Sequence, residues 1–139
     1  MPEKILYTAE ARSTGDGRNG HVTSSDGRLD FDLAFPKEMG GSGEGSNPEQ
    51  LFAAGYAACF HSALRITSRA AKADVDGSTV TARVSIGPDG PAYGLAVTLL
   101  IHLPNVPAET ARQLAEAAHK VCPYSRATHG NITVDLEVV

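Results

Sequence analysis

The segment NPEQLFAAGYAACF, residues 47–60, decides how the chain folds. Asn47 is a residue type that caps helix N-termini, and Pro48 follows it where proline's fixed φ and missing N–H are harmless, so a helix is predicted to start here. The helical pattern runs on to about Ala73. Phe52, Cys59 and Ile66 recur every seven residues, with Gly55 and Ala63 between them, which puts Cys59 on the apolar stripe of the helix. The small residues of AAGYAAC leave room for a second element to come close.

Ahead of this helix, turn signals cut the chain into short β segments. Lys4 to Arg12, His21 to Ser25 and Arg28 to Phe35 are separated by GDGRNG and by a DG pair, the layout of a three-stranded meander. In the third segment Leu29, Phe31, Leu33 and Phe35 alternate with Asp30, Asp32 and Ala34, so one face of the strand is expected to be covered. The run MGGSGEGS, residues 39–46, reads as a flexible loop and a candidate gate over Cys59. It is no phosphate cradle, because no Gly-Lys-Ser/Thr follows and Glu44 repels phosphate.

Beyond the helix, Ser78 to Gly87 and Tyr93 to Leu103 flank the turn PDGP as a second antiparallel pair. Pro107 to Val121 is an amphipathic helix with Leu114, Ala118 and Val121 on one side; it breaks at Pro123, with Cys122 at the break. A helical turn over Tyr124 to Thr128, a stop at His129-Gly130 and a last strand from Ile132 to Val139 follow. Strands grouped in this way predict an α+β fold, with antiparallel sheets packed around a long central helix rather than a parallel Rossmann-like sheet. A length of 139 residues predicts one domain, residues 1–139, around one core.

Composition narrows the function. A formal net charge of -4 and scattered Lys and Arg residues speak against a nucleic-acid partner. No stretch approaches the roughly 18 apolar residues of a membrane span. The start MPEKILYTAEARSTGDG shows no secretory signal, which predicts the cytoplasm. In that reducing compartment a permanent bridge between Cys59 and Cys122 is unusual. The pair is therefore catalytic, redox-cycling or metal-binding, or else two inert buried thiols.

NPEQLFAAGYAACF resembles the peroxidatic-cysteine helix of the organic hydroperoxide resistance (Ohr) family within the OsmC/Ohr superfamily. VCPYSRATHGNITV, residues 121–134, is similar to the second-cysteine region of that family, and GDGRNGHV, residues 15–22, to its arginine loop, in the same chain order. The layout of strands and helices is similar along the whole chain, with no departure from the family pattern at these positions. The resemblance implies an intertwined homodimer and a cysteine-based peroxidase that reduces alkyl and fatty-acid hydroperoxides. It implies Cys59 as the attacking thiolate and Cys122 as the thiol that closes a disulfide onto it. Arg18 then corresponds to the arginine that contacts the thiolate, and Glu49 to the carboxylate that holds this arginine. No bound cofactor is implied; an external dithiol, a lipoylated protein or dihydrolipoamide, serves as reductant.

The chemistry of the residues agrees with these roles. A thiol is a poor nucleophile and an ordinary Cys is only a few per cent ionised at neutral pH, so a cation beside Cys59 is required. Glu49 also suits the positive end of the helix. It lies ten positions before Cys59, roughly 15 Å along the axis. An arginine bridging the two within one subunit would be stretched, so Arg18 and Glu49 are expected from the partner subunit. Phe52, Tyr56 and Phe60, with Met39 and Tyr124, are expected to wall an apolar pocket. A zinc site built from Cys59, His61, His119 and Cys122 is the rival reading, but residues 59 and 61 point about 200° apart on a helix, so no metal is expected. His61 is expected to bond to the next element, and His21, His102 and His129 to lie in surface or turn positions. A sensor or lipid-binding module using the same pocket without turnover is the non-enzymatic alternative. Arg18 in the first loop favours the Ohr branch over the OsmC branch.

Overall fold

Short strands tied by tight turns make up the first of two units into which the chain divides, Met1–Pro48 and Glu49–Val139. A computed structural model describes residues 1–139. In the first unit β1 (Ala11–Thr14), β2 (His21–Ser24) and β3 (Asp30–Asp32) form an antiparallel sheet in the order β1-β2-β3, the expected meander. The first strand is shorter and later than Lys4 to Arg12. Pairing begins with Ala11 opposite Ser24, the last residue of β2, so the apolar Ile5, Leu6 and Tyr7 lie exposed beyond the ladder.

The third strand is also shorter than its alternation predicts. After Asp32 the chain turns to the returning loop: Leu33 bridges Ser46, and the Ala34 N–H donates to the Ser46 carbonyl at 2.9 Å. Leu33 and Ala34 are therefore buried side by side, and Leu29 is exposed. The glycine-rich loop is held by backbone bonds, Gly41 N–H to Pro36 O and Gly43 N–H to Phe35 O, both at 3.0 Å. A Cβ on Gly41 would sit 2.1 Å from the Phe35 carbonyl oxygen, so this glycine serves close packing where the composition reads as flexibility.

His21, in β2, sets Nδ1 against Asp32 at 2.8 Å and Nε2 against Asp30 at 2.5 Å. Two carboxylates on the two ring nitrogens favour the imidazolium, which donates from both. The bond to Asp32, and then the bond to Asp30, hold the His21 pKa above its ordinary value, and His21 lowers that of Asp30. The raised histidine contributes stability that is complete below about pH 6.5 and is lost as pH rises through its folded value; the lowered Asp30 contributes stability above about pH 4 that is lost on acidification. The pairing therefore acts most strongly between these two limits.

The second unit takes in α1 (Pro48–Ala70) from Glu49 onward, followed by β4 (Thr79–Asp89), β5 (Ala92–His102), α2 (Ala108–Val121), α3 (Pro123–Thr128) and β6 (Val134–Val138). The sheet order is β4-β5-β6. β4 and β5 pair antiparallel as expected, but β6 runs parallel to β5, because α2 and α3 carry the chain back across the sheet before β6 begins. The register stacks three apolar rows on one face: Val84, Val97 and Val134; Ala82, Leu99 and Leu136; Val80, Ile101 and Val138. Against them pack Tyr56, Phe60 and Leu64 of α1 and Ala111, Leu114, Ala115 and Ala118 of α2. The buried stripe of α1 thus runs beside the predicted one. Ile66 is 63% exposed, and Val121, expected on the inner side of α2, is 54% exposed. No helix is long and apolar enough to cross a membrane.

α1 stops three residues before the predicted end. Lys72 adopts φ 59°, its N–H bonds to Arg69 O at 2.9 Å, and the Ala73 N–H reaches back to Ser68 O at 2.8 Å. This is a Schellman stop with lysine where glycine is usual, which hides the terminus from a reading based on glycine signals. Lys72→Gly is expected to stabilise the protein by about 1 kcal/mol, measured by urea unfolding. Asp32→Asn is expected to bring the His21 titration, followed by NMR, back toward its ordinary value; an unchanged titration would mean that the pair does not form.

Candidate active site

Two cysteines 63 positions apart meet where α1 packs against the junction of α2 and α3. Cys59 projects from the edge of the buried stripe of α1 and is half-buried. Cys122 stands at the corner between α2 and α3. Proline disfavours helical backbone in the residue before it, and Cys122 ahead of Pro123 accordingly has φ -63° and ψ 123°. Its N–H still bonds to Ala118 O and its carbonyl accepts from the Arg126 N–H, each at 2.9 Å, so it closes α2 and opens α3 at once. The corner turns its side chain into the core, where it is fully buried. Both thiols are free, and Cys122 Sγ donates to Cys59 Sγ across 3.7 Å.

Burial pushes the Cys59 thiol above its ordinary pKa; a bond from the Tyr124 backbone N–H opposes this, and the Cys122 sulfur adds to it. The ring of Tyr124 lies over Gly55, where a Cβ would sit 2.6 Å from the phenol oxygen, so glycine at this position is what admits the ring. Phe52, Tyr56 and Tyr124 form an aromatic trio with centroids 6.2, 6.1 and 5.6 Å apart.

Cys59 opens on an apolar groove of about 540 Å³ lined by Cys59, Ser62, Ala63, Ile66, Val121 and Pro123. Phe52, Tyr56, Phe60 and Tyr124 are not among these lining residues. Tyr56 and Phe60 are fully buried in the core, Tyr124 and the half-buried Phe52 pack on Tyr56, and Met39 ends a 3-10 turn, Lys37–Met39, of the first unit. Large aromatics near a cysteine in sequence suggest a pocket, but the helix turns them to the sheet. The exposed Ile66 and Val121 that line the groove look from the sequence like core positions. Arg18 sits in the 3-10 turn Gly17–Asn19 of the first unit, its guanidinium 5.8 Å from the Phe35 ring centroid. Glu49 is in the first turn of α1.

The histidines are engaged elsewhere. His61 bonds Ser78 Oγ at 2.9 Å, the expected link to the next element, and burial lowers its pKa. His119 Nδ1 bonds Ser125 Oγ at 2.7 Å. No group of three or more His, Cys, Asp and Glu side chains is placed to hold a metal ion.

A family model described as OsmC-like protein matches residues 41–137. The organic hydroperoxide resistance protein of Xanthomonas axonopodis pv. citri is 47% identical over 97% of this chain and 96% of its own length. The crystal structure of the organic hydroperoxide resistance protein OhrB of Bacillus subtilis superposes with a TM-score of 0.88 at 43% identity, covering 97% of this chain and 100% of that one. A putative organic hydroperoxide resistance protein of Vibrio cholerae, solved with captopril in one of its active sites, gives a TM-score of 0.92 at 47% identity, over 99% and 95% of the two chains. The chain belongs to the OsmC-like family, in its organic hydroperoxide resistance branch.

Iodoacetamide is expected to alkylate Cys59 in the native protein while Cys122 reacts only after unfolding, as peptide mass spectrometry would read. Mild diamide is expected to close an intramolecular disulfide, removing two hydrogen atoms from the mass without cross-linking chains.

Proposed function

We propose that the chain is a thiol-dependent peroxidase that reduces alkyl and fatty-acid hydroperoxides to alcohols. One observation carries this reading: two free sulfurs 3.7 Å apart, one open to an apolar groove and the other sealed in the core. Their unequal exposure divides the labour. The Cys59 thiolate attacks a peroxide oxygen, the O–O bond breaks, and the alkoxide leaves and takes a proton as the alcohol, with a sulfenic acid remaining on Cys59. The Cys122 sulfur then attacks Cys59 sulfur; the S–S bond forms, the S–O bond breaks, and water leaves. An external dithiol, of the lipoyl type, reduces the bridge by exchange and becomes a disulfide itself. The groove favours substrates with a tail, at about 0.8 kcal/mol per buried methylene.

Burial holds the Cys59 thiol up, so the reading needs a cation against the sulfur. Arg18 is that cation and Glu49 its anchor, both supplied by the partner subunit of a homodimer with its active sites at the interface. The cytoplasm, where reductants are at hand, is the proposed compartment.

Steady-state reduction of cumene hydroperoxide, with dihydrolipoamide and with glutathione, tests this. Cys59→Ser is expected to abolish turnover, Cys122→Ser to stop cycling with the dithiol, and Arg18→Ala to slow the reaction about 10- to 1000-fold. Glutathione is expected to be the poorer reductant. Mixed dimers of Cys59→Ser and Arg18→Ala subunits are expected to regain activity, because one complete site is rebuilt across the interface. Turnover retained by Cys59→Ser would end the reading, and a fully active monomer in light scattering would end the shared site.

A further inference from the structure

We infer that His119 is a positioning residue for disulfide closure, clamping the corner that carries Cys122; this rests on the roles proposed above for the two cysteines. The corner joins α2 and α3 through a single non-helical residue, Cys122, the hinge point of the helix path. Three residues before Cys122 stands His119, and three residues after it Ser125; their side chains meet at 2.7 Å across the corner. The bond therefore spans the hinge with Cys122 at its apex.

The clamp is anchored to the helix that bears Cys59. Ser125 Oγ lies 2.8 Å from Tyr56 Oη, Tyr56 Oη lies 3.2 Å from Thr128 Oγ1, and Thr128 Oγ1 donates to Ser125 O at 3.1 Å. Tyr56 is on α1, about one turn before Cys59. The Phe60 ring, next to Cys59 in the chain, lies 6.5 Å from the His119 ring. All three helices around the two sulfurs are thus tied through this network.

Counting protons assigns its direction. The four contacts need four protons, and the hydroxyls of Tyr56, Ser125 and Thr128 supply three. Thr128 must donate to the carbonyl, so Tyr56 donates to Thr128, Ser125 donates to Tyr56, and the fourth proton is on His119 Nδ1. Burial, and then His129, lower the His119 pKa, which fits a neutral ring in the Nδ1–H tautomer. Ser125 and Tyr56 are fully buried, so losing the histidine leaves the Ser125 hydroxyl oxygen without its donor and releases the corner.

Closure joins Cys59–SOH and Cys122–SH into a disulfide and water, and it requires the two sulfurs to shorten from 3.7 Å to about 2 Å. Misplacement by about 1 Å is enough to slow such a step about 100-fold. A clamp on the corner therefore acts on closure, in which the Cys122 sulfur moves, whereas attack on the peroxide uses the Cys59 thiolate and the cation proposed for it.

The test is a single turnover with one equivalent of cumene hydroperoxide, with dimedone capture of sulfenic acid and disulfide both read by mass spectrometry. In His119→Ala, Cys59 oxidation is expected at the native rate, closure slowed about 10- to 100-fold and dimedone adduct raised accordingly. His119→Asn places an amide N–H near the position of Nδ1 and is expected to restore closure. Ser125→Ala removes the same link from the other side and is expected to match His119→Ala, which keeps the question open to test if the histidine variant fails to fold. Native closure in both alanine variants overturns the inference, as does an Asn variant as slow as Ala, or peroxide attack slowed as much as closure. If the native protein forms neither sulfenic acid nor disulfide, the parent reading fails instead.

Discussion

Contact between two sulfurs borne by different helices is the constraint on which the site depends. A thiol pair 3.7 Å apart requires that α1 and the α2–α3 corner approach closely on a fixed line. Small residues on α1 permit the approach: Gly55 accepts the ring of Tyr124, and the Tyr124 backbone N–H then faces the Cys59 sulfur. Pro123 fixes the other half, because it forces Cys122 out of helical geometry and turns the thiol inward.

The sheet supplies the rigid floor beneath this contact. Three apolar rows across β4, β5 and β6 support both long helices, and Cys122 belongs to the same packed core as Leu99 and Ile101. Truncating a buried leucine in such a core costs about 2–5 kcal/mol, so the geometry of the sulfurs is tied to global stability. A thiol held there is shielded from solvent oxidants. Cys59, at the border of the buried stripe, meets the groove. The exposure of Ile66 and Val121, unusual for large apolar residues on helices, belongs to that same border.

The environment of Cys59 within the second unit opposes its ionisation. Reactivity at this sulfur is then a matter of what is brought to it, which is why the proposal gives Arg18 its weight. In the first unit the turn that carries Arg18 is held by the pairing of β1 and β2 and stands beside Phe35.

The amino-acid sequence by itself determined every strand but the first to within a few residues, the start of α1 at Pro48 and the break at Pro123, because these follow from local backbone chemistry: period-two alternation, helix capping and the restrictions imposed by proline. It also placed both cysteines, through motifs that are local in the chain. Tertiary structure decided what local rules do not encode. The parallel pairing of β6 depends on where α2 and α3 return the chain, and the end of α1 depends on a lysine held in a left-handed turn by bonds to Ser68 and Arg69. The groove walls and the contact of the two sulfurs depend on which side of each helix the sheet covers. A separation of 63 positions carries no distance information until the core between them is packed.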